Sequence, residues 1–379
     1  MRHISFAKQR GSVLLIAVFI TSVIVAIAAR FTGDFQLSVA RAEHTIIGAQ
    51  LQQYAYSTEE FAAWVLEQDA DNDNSNGRYI KNGRQGSYDH WQEDWAIALN
   101  VPVDDAVIKA TLTDALSRFN LNQLQGRPTP YNPQGTLNER FTTGQQRFMR
   151  LLQTQPDDLV DPSLAQSITE AAIDWMDGDN NVTGQGGAEN NYYSSLDTPY
   201  RAANQPFISV TELRQIKGIT DEIYRYLAPL VVVLPNDVGF NVNTALPAVM
   251  RSLNQQNIDT PLVESDAALL TEGRPLAEDT AAIDNNENAT AENNSEIQDS
   301  QAFESVEDFL ASDGFSRAFD NDPDFWPDAQ GLHTGSEFFI LDIEITINTS
   351  SHRQMSLLKR ELTQEGVKTK VLRRTRQQL

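Results

Sequence analysis

The residues best suited to chemistry lie in one acidic, glycine-rich loop in the middle of the chain, DWMDGDNNVTGQGGAENNYY, at residues 174–193. Asp177, Asp179 and Asn181 occupy positions one, three and five of a flexible turn. This spacing directs side-chain oxygens toward one point, as hard cations such as calcium require. Gly184, Gly186 and Gly187 let the backbone bend back so that further oxygen-bearing residues can close the shell. The predicted calcium ligands are Asp177, Asp179, Asn181, Glu189 and Asn190.

Two other interpretations of this loop stay open. Its carboxylates can cap neighbouring helices in an acidic, solvated turn. They can also serve as a general acid and a general base, although no neighbouring residue indicates a substrate. The loop departs from an EF-hand because it lacks the glycine at position six and the glutamate at position twelve.

A second polar stretch, DADNDNSNGRYIKNG at residues 69–83, predicts a surface loop. Asn, Asp and Gly favour turns because they accept left-handed or self-capped backbone conformations. The alternating oxygen-bearing side chains also permit calcium, but the closing glutamate of an EF-type loop is missing. We therefore interpret this stretch first as a turn.

Composition excludes several kinds of site. The 379 residues carry 29 Lys and Arg against 52 Asp and Glu, and the resulting net charge of −23 opposes binding to nucleic-acid phosphates. The chain has no cysteine, so neither disulfides nor thiolate metal sites can form. It also lacks a phosphate-binding glycine loop, a nucleophile elbow and zinc-type histidine spacing. We expect no enzymatic activity.

Residues 209–235 resemble a helix-hairpin-helix unit with a turn at Gly218. Such hairpins often hold DNA phosphates at helix N-termini. The acidic residues Glu212, Asp221 and Glu222 stand among its basic ones, so the sequence favours a packing module over a nucleic-acid site.

The N-terminus combines a basic leader with an uncharged apolar run. Residues 1–11, MRHISFAKQRG, hold three basic residues and no acidic one. Residues 12–29 form an apolar segment close to the minimum length for a bilayer-spanning helix. The basic flank predicts a cytoplasmic N-terminus, with the chain after Arg30 on the other side of the membrane.

Three interpretations of this N-terminus are open: a cleaved secretory signal, a plain signal anchor and a prepilin-type leader. In the third, a peptidase cuts after Gly11 and leaves Ser12 as the first residue of a retained membrane helix. The pair Arg10-Gly11, followed by a small polar residue and an unbroken apolar run, favours this third interpretation.

The elements that position these residues follow a simple order. Apolar periodicity predicts one long helix from Ser12 to about Glu67, bent near Gly33, and then a largely helical middle. Residues 277–301 hold seven acidic and no basic residues and are predicted to be disordered or a loose loop. Strict alternation in FFILDIEITIN, residues 338–348, predicts a half-buried strand that opens a C-terminal antiparallel meander.

Taken together, the motifs of this sequence resemble those of the minor pseudopilin K family of type II secretion. The residues that carry the resemblance are the Gly11-Ser12 junction, RFNLN (118–122), DWMDGD (174–179), GAENNYY (187–193), PYRAANQPF (199–207), SVTELRQIKGIT (209–220) and NVNTA (241–245). The resemblance implies an α+β, pilin-like fold in which a large helical domain is inserted, with the C-terminal strands completing a sheet begun before the insert. It also implies calcium in the helical domain, which we assign to the loop around residues 177–190.

The expected domain organisation places the acidic insert outside the family pattern. The expected parts are a leader (1–11), a transmembrane segment (12–30), a first pilin-like part (31–110), an inserted helical domain (111–262), an acidic low-complexity insert (263–301) and a second pilin-like part (302–379). No role is assigned to the acidic insert.

The resemblance implies a single-pass protein of the bacterial inner membrane with a periplasmic head. Its expected partners are the minor pseudopilins I and J, the prepilin peptidase and membrane lipid. Major pilins carry a buried glutamate at the fifth mature residue, whereas Ile16 stands there in this chain. The absence fits a subunit that caps and initiates the pseudopilus. The alternatives are a minor pilin of a type IV pilus and a signal-anchored, metal-dependent periplasmic enzyme.

Overall fold

A single helix, α1 (Arg10–Ser75), dominates the computed structural model, which describes residues 10–75, 88–156, 159–272, 274, 302–363 and 366–376. At 1.5 Å per residue, its 66 residues span about 100 Å. Its most apolar 18-residue window has a mean hydropathy of 2.6 and is fully exposed, so by length and composition this helix could cross a membrane. Residues 1–9 of the predicted leader (1–11) lie outside the described residues.

The other described residues form shorter helices and nine strands. The helices are α2 (Leu137–Arg140), α3 (Thr143–Leu152), α4 (Pro162–Met176), α5 (Asn190–Tyr193), α6 (Asp221–Leu227), α7 (Pro247–Arg251), α8 (Glu264–Leu269), α9 (Val306–Ala311) and α10 (Asp313–Ala318). The strands are β1 (Leu99–Val103), β2 (Ala106–Asp114), β3 (Phe119–Asn120), β4 (Val231–Val232), β5 (Phe240–Asn241), β6 (Leu332–His333), β7 (Phe338–Ile347), β8 (Ser350–Thr363) and β9 (Gly366–Thr375). The 3-10 turns with described bounds are Asp94–Ala96, Ala115–Ser117, Leu121–Leu124, Val210–Gln215, Ala228–Leu230 and Pro323–Phe325.

The main sheet has the order β1-β2-β7-β8-β9, and each neighbouring pair is antiparallel. The C-terminal meander therefore completes a sheet begun before the helical region, which confirms the predicted fold class. β2 and β7 are paired, with Asp114 opposite Phe339. The segment that connects these two strands therefore leaves and re-enters the sheet at adjacent points. The helical region is thus an insertion between neighbouring strands.

The second half of α1 packs on one face of this sheet. Leu51, Ala55 and Leu66 lie in one buried cluster with Ile343 and Ile345 of β7. Alternation along β7 supplies the apolar face that the sequence predicted, because successive side chains of a strand point to opposite sides. Burial of large aliphatic side chains such as these stabilises the contact by about 1.5–3 kcal/mol each.

Two ion pairs, each with at least one buried member, fix α1 on the sheet. The Glu59 carboxylate, 2% exposed, receives bonds from Arg374 at 2.8 Å and 2.9 Å. Near the other end of the packed half, Arg360 donates to Asp69 at 2.8 Å and to Asp89 at 2.5 Å. The helix continues to Ser75, so the first residues of the loop predicted at 69–83 are helical. This extension is held by contacts, since Ala70 is buried and Asp69 pairs with Arg360. Residues 76–87 lie outside the described part.

A second buried core holds the helical region together. It joins α3 and α4 to the turn and helix around residues 210–227 and to α7. Gly218, at φ +89°, joins that turn to α6, and a Cβ there would come within 2.9 Å of the Ile168 side chain. Leu213 and Ile223 are buried on either side of this hairpin, which agrees with a packing module.

The helical region is larger than the predicted span of 111–262. Residues 111–114 belong to β2, whereas α8 buries Ala267 in the helical core. Phe309, Phe315 and Phe319 lie in the same core, so residues 302–319 belong here and not to the second pilin-like part. The last of these corrections has a physical cause: Phe309, Phe315 and Phe319 follow an acidic stretch, yet their rings are buried in the larger, helical core. Residues 275–301 lie outside the described part.

A buried polar network joins the helical region to the sheet. The Oδ2 of Asp114, at the end of β2, accepts bonds from Ser336 (2.5 Å), Thr244 (2.5 Å) and Asn241 (3.1 Å). Burial raises the pKa of this carboxyl to about 6. Asp89 accepts from the Ser336 N–H at 2.6 Å, so the network reaches Arg360. The joint therefore lies at the end of the sheet where α1 ends.

We predict that Arg360→Met destabilises the chain far more than Arg353→Met on the same strand. The first change leaves Asp89, which is fully buried, without its cation, and breaking such a pair costs about 3–5 kcal/mol. Arg353 pairs with Asp342 at 2.6 Å but is 66% exposed, so its loss should cost under about 1 kcal/mol. Urea unfolding of the two full-length variants measures both. Equal losses would contradict a central role for Arg360.

Candidate cation site in the helical domain

The acidic loop of residues 177–189 connects the end of α4 to the start of α5. Asp161 starts α4 by accepting the Leu164 N–H at 2.8 Å, with Pro162 in the first turn. Asp177 follows the last residue of α4, where the unpaired carbonyls of a helix end favour a cation. Glu189 immediately precedes α5 and accepts the Asn190 N–H. The end of α4 therefore positions the Asp177 carboxylate, and the start of α5 positions that of Glu189.

Three of the predicted ligands converge. Carboxylate oxygens of Asp177, Asp179 and Glu189 lie within 4.8 Å of one another. Glu189 is 2% exposed, whereas the side chains of Asp177 and Asp179 are 25% and 46% exposed. One side of the cluster is thus formed by the protein and the other is open to solvent.

The two predicted amide ligands are used differently. The Asn190 Oδ1 accepts the Ala202 N–H at 3.1 Å, and its Nδ2 donates to Asn180 at 2.7 Å, so this side chain ties the loop to neighbouring backbone. Asn181 is exposed, and its backbone N–H donates to Asp179 Oδ1 at 2.7 Å. Through these hydrogen bonds both asparagines help to fix the backbone around the carboxylate cluster.

Glycines let the loop lie directly on α4. Gly184 has a φ of +60°, in the left-handed region, and a Cβ there would come within 2.2 Å of the Glu170 carboxylate. At Gly187 a Cβ would meet Asp174 at 2.3 Å. The loop is further held by Lys217, whose Nζ donates to the carbonyl of Gly186 at 2.9 Å. Close packing of this kind gives the carboxylates a fixed backbone.

Negative charge accumulates in the cluster and shifts its proton equilibria. Burial, together with nearby Asp174, raises the pKa of Glu189 to about 7. Burial also raises the pKa of Asp174 to about 6, although the Thr183 N–H donates to it. The pKa of Asp177 is raised by burial and by Asp179. These shifts mark a place where a cation would relieve repulsion.

Sequence reasoning missed two members of this environment. Asp174 lies one helical turn before Asp177 and faces the same loop; its i, i+3 spacing in the DWMDGD motif was the available signal. Arg127 approaches Asp177 at 3.5 Å and Asp179 at 3.6 Å, and it is 43% exposed. No local motif marked Arg127, because it comes from a distant loop.

The residues present fit a hard cation. Glu189 Oε1 is buried and has no hydrogen-bond partner among the residues that the structure describes. A buried carboxylate oxygen left unpaired is costly, and here it stands beside two further carboxylates. Oxygen ligands with net negative charge suit calcium better than a softer metal.

A second acidic cluster does not offer the same fit. Carboxylates of Asp69, Asp89 and Glu93 also lie within 4.8 Å of one another. The guanidinium of Arg360, which is 3% exposed, bonds to Asp69 at 2.8 Å and to Asp89 at 2.5 Å. In the first cluster the half-exposed Arg127 stays at 3.5 Å or more from its carboxylates. Burial beside Asp89 and Asp69 raises the pKa of Glu93 to about 9. This cluster is a structural ion-pair network at the joint.

Comparison with known proteins gives consistent matches. A family model described as type II secretion system protein K matches residues 117–236, which include the acidic loop. The type II secretion system protein K of Aeromonas hydrophila is 34% identical over 245 residues, covering 64% of this chain and 69% of that protein. That of Pectobacterium carotovorum subsp. carotovorum is 33% identical over 242 residues, covering 63% and 67%.

A solved structure matches the fold. A chain in the crystal structure of the GspK-GspI-GspJ complex from the enterotoxigenic Escherichia coli type 2 secretion system aligns with a TM-score of 0.63 at 23% identity. The alignment covers 88% of this chain and 98% of that one. Both the long helix with its sheet and the inserted helical region therefore have a counterpart of known structure.

We predict that the metal-free chain loses stability as pH rises from about 4.5 to about 7. The folded-state pKa of Glu189 is about 7, above its ordinary 4.5, so the folded state holds this proton more strongly than the unfolded state. That contribution is complete at low pH and is lost as the group ionises. Urea midpoints measured in chelator should show a flatter pH profile for Glu189→Gln. An unchanged slope in this variant would contradict the assigned environment.

Proposed function

Because this chain belongs to the type II secretion system protein K family, we propose that it is a minor pseudopilin, a non-enzymatic subunit that caps and initiates the periplasmic pseudopilus. In this role the tip of a growing filament helps to move folded proteins through the outer membrane. The observation that carries the proposal is the position of the inserted helical region at the far end of α1.

That position follows from the buried joint. Asp69, six residues before the end of α1, contacts Arg360, and through Asp89 and Ser336 the network reaches Asp114, where the insertion starts. The helical region therefore covers the end of the head that lies farthest from the apolar half of α1. A subunit covered in this way leaves no free end on which another head could stack.

The first half of α1 supplies the anchor. We propose that the prepilin peptidase cuts after Gly11 and that the helix beginning at Ser12 crosses the bacterial inner membrane once, with the head in the periplasm. Its large apolar side chains between Val13 and Ile27 are exposed, which suits lipid first and neighbouring helices in a filament afterwards. Ile16 in place of a glutamate supports a subunit that no further subunit follows.

The proposed partners are the minor pseudopilins I and J. The solved complex of similar fold contains proteins named GspK, GspI and GspJ. A tip assembled from three different subunits would place this chain uppermost because its head is enlarged by the insertion. The proposal assigns no catalytic residue to the chain.

Calcium has a structural role in this proposal. Asp177, Asp179 and Glu189 would hold the ion, with Asn181 and Asn190 fixing the loop around them. The ion would neutralise the clustered carboxylates and link the end of α4 to the start of α5. The unpaired Glu189 oxygen is the observation that supports it.

We predict that calcium at about 1 mM raises the Tm of the full-length chain by about 4 °C or more relative to chelator, because it binds only the folded loop. Asp179→Asn should remove at least half of that rise by deleting one charged ligand. Asp197→Asn, an exposed change in the same region, should keep it. Identical Tm values in calcium and chelator would contradict calcium binding.

The capping proposal is tested by locating the chain in pseudopili. The chain has no cysteine, so Asp197→Cys gives one exposed labelling site on the helical region. Gold-labelled pseudopili should carry the label at one end only, and cells without the chain should form few pseudopili and fail to secrete. Label along the whole filament, or normal secretion without the chain, would contradict the proposal.

A further inference from the structure

An apolar groove lies between the second half of α1 and the first strands of the sheet. It encloses about 300 Å³ and follows α1 from Thr58 to Asp69. At 1.5 Å per residue this length is about 16 Å, which about five residues of extended chain can fill. Large apolar side chains build both walls: Phe61, Trp64, Val65, Trp95, Ile97 and Leu99.

The groove is open although its walls are apolar. Phe61, Trp64 and Ile97 are 49%, 55% and 64% exposed, and the rings of the first two lie 5.8 Å apart. At 1.5 Å per residue, Phe61 lies about 45 Å beyond Arg30 along α1, too far for the membrane to cover it. Exposed apolar surface gathered in one place is typical of a site that another segment covers.

The rim of the groove is acidic. Asp94 at its margin is exposed, and so is Glu60, which lies one helical turn before Trp64 on the same side of α1. Among the residues that the structure describes, no Lys or Arg lines the groove. Charge complementarity therefore favours an occupant whose apolar anchor is flanked by basic residues.

The chain itself carries such an anchor next to the groove. Residues 76–87, NGRYIKNGRQGS, lie outside the described part and connect α1 to the stretch that forms one wall. They hold three basic residues and no acidic one, in a chain whose net charge is −23. Arg78 and Lys81 directly flank the apolar pair Tyr79-Ile80. Both the anchor and its charges match the groove.

The tether is long enough and is fixed at the right place. The segment leaves α1 at Ser75 and returns at Tyr88, next to Asp89, which shares Arg360 with Asp69 at the end of the groove. An extended chain spans about 3.3 Å per residue, so the fifth residue after the helix reaches about 16 Å back along α1, level with the middle of the groove. The eight residues that follow span up to about 26 Å, enough to return.

We propose that residues 76–87 dock in the groove of their own chain. Tyr79 and Ile80 cover its apolar walls, and Arg78 and Lys81 lie at its acidic rim. A tethered segment meets its site at a high effective concentration, so a contact of only a few side chains is sufficient. This docking goes beyond the proposed function and does not depend on it, because it belongs to the single chain.

The test measures how well position 97 is shielded. The chain has no cysteine, so Ile97→Cys and Ile208→Cys each give a single thiol. The two isoleucines are exposed to a similar degree, 64% and 58%, but Ile208 lies on the helical region, away from the groove. Each full-length chain is placed in lipid nanodiscs, which keep free detergent out of the groove, and is labelled with a maleimide. Ile97→Cys should react at least about tenfold more slowly than Ile208→Cys.

Variants of the segment identify the occupant. Tyr79→Ser combined with Ile80→Ser should bring the labelling rate of the Ile97→Cys chain to within about twofold of Ile208→Cys. Arg78→Glu combined with Lys81→Glu should raise that rate about fivefold. Arg84→Glu, a basic residue of the same segment that does not flank the anchor, is the matched control and should change the rate by less than about twofold. Equal Tm values verify folding.

Three results would overturn the proposal. Equal labelling of Ile97→Cys and Ile208→Cys would show that nothing covers the groove. Protection that persists after Tyr79→Ser and Ile80→Ser would show that the segment is not the occupant. Protection that grows with protein concentration would assign the groove to a second copy of the chain. Each of these results leaves the minor-pseudopilin proposal standing, because that proposal is tested by pseudopilus labelling and secretion.

Discussion

The fold depends on one constraint on α1: its first half is apolar and exposed, whereas its second half has to pack on the sheet. Apolar burial of Leu51, Ala55 and Leu66 supplies the affinity of helix for sheet, and the ion pairs of Glu59 and Arg360 fix its register. Such buried pairs add little net stability compared with apolar residues, but a displaced helix would leave charges buried without partners. A single arrangement of helix on sheet follows.

The helical region inherits its position from this arrangement. Since β2 and β7 are neighbours, the insertion leaves and returns at adjacent points, and the network around Asp114 seals that joint. The candidate cation loop lies within this region, on α4, and has its own core beneath it. Removal of the proposed calcium ion would therefore loosen the helical region locally while α1 and the sheet remain intact. This division suits a subunit whose stem and head meet different partners.

The sequence predicted those features that depend on local pattern. Alternation along β7 and the 1-3-5 spacing of Asp177, Asp179 and Asn181 were visible because each is encoded within a few residues. Features set by tertiary contacts were not visible: Phe309, Phe315 and Phe319 join the helical core across an acidic stretch, and the Asn190 side chain accepts a hydrogen bond from the Ala202 N–H. Likewise, nothing in a basic C-terminal strand distinguishes the buried Arg360 from the exposed Arg353.

The central claim is that α1 remains part of the mature protein, as a membrane span and then as the stem of a filament subunit. N-terminal sequencing of the chain purified from cells with an active prepilin peptidase tests it most directly. The account predicts a mature chain that starts at Ser12 and stays with the membrane fraction. A mature chain that starts beyond the apolar run, near Arg30, and is recovered free in the periplasm would contradict it.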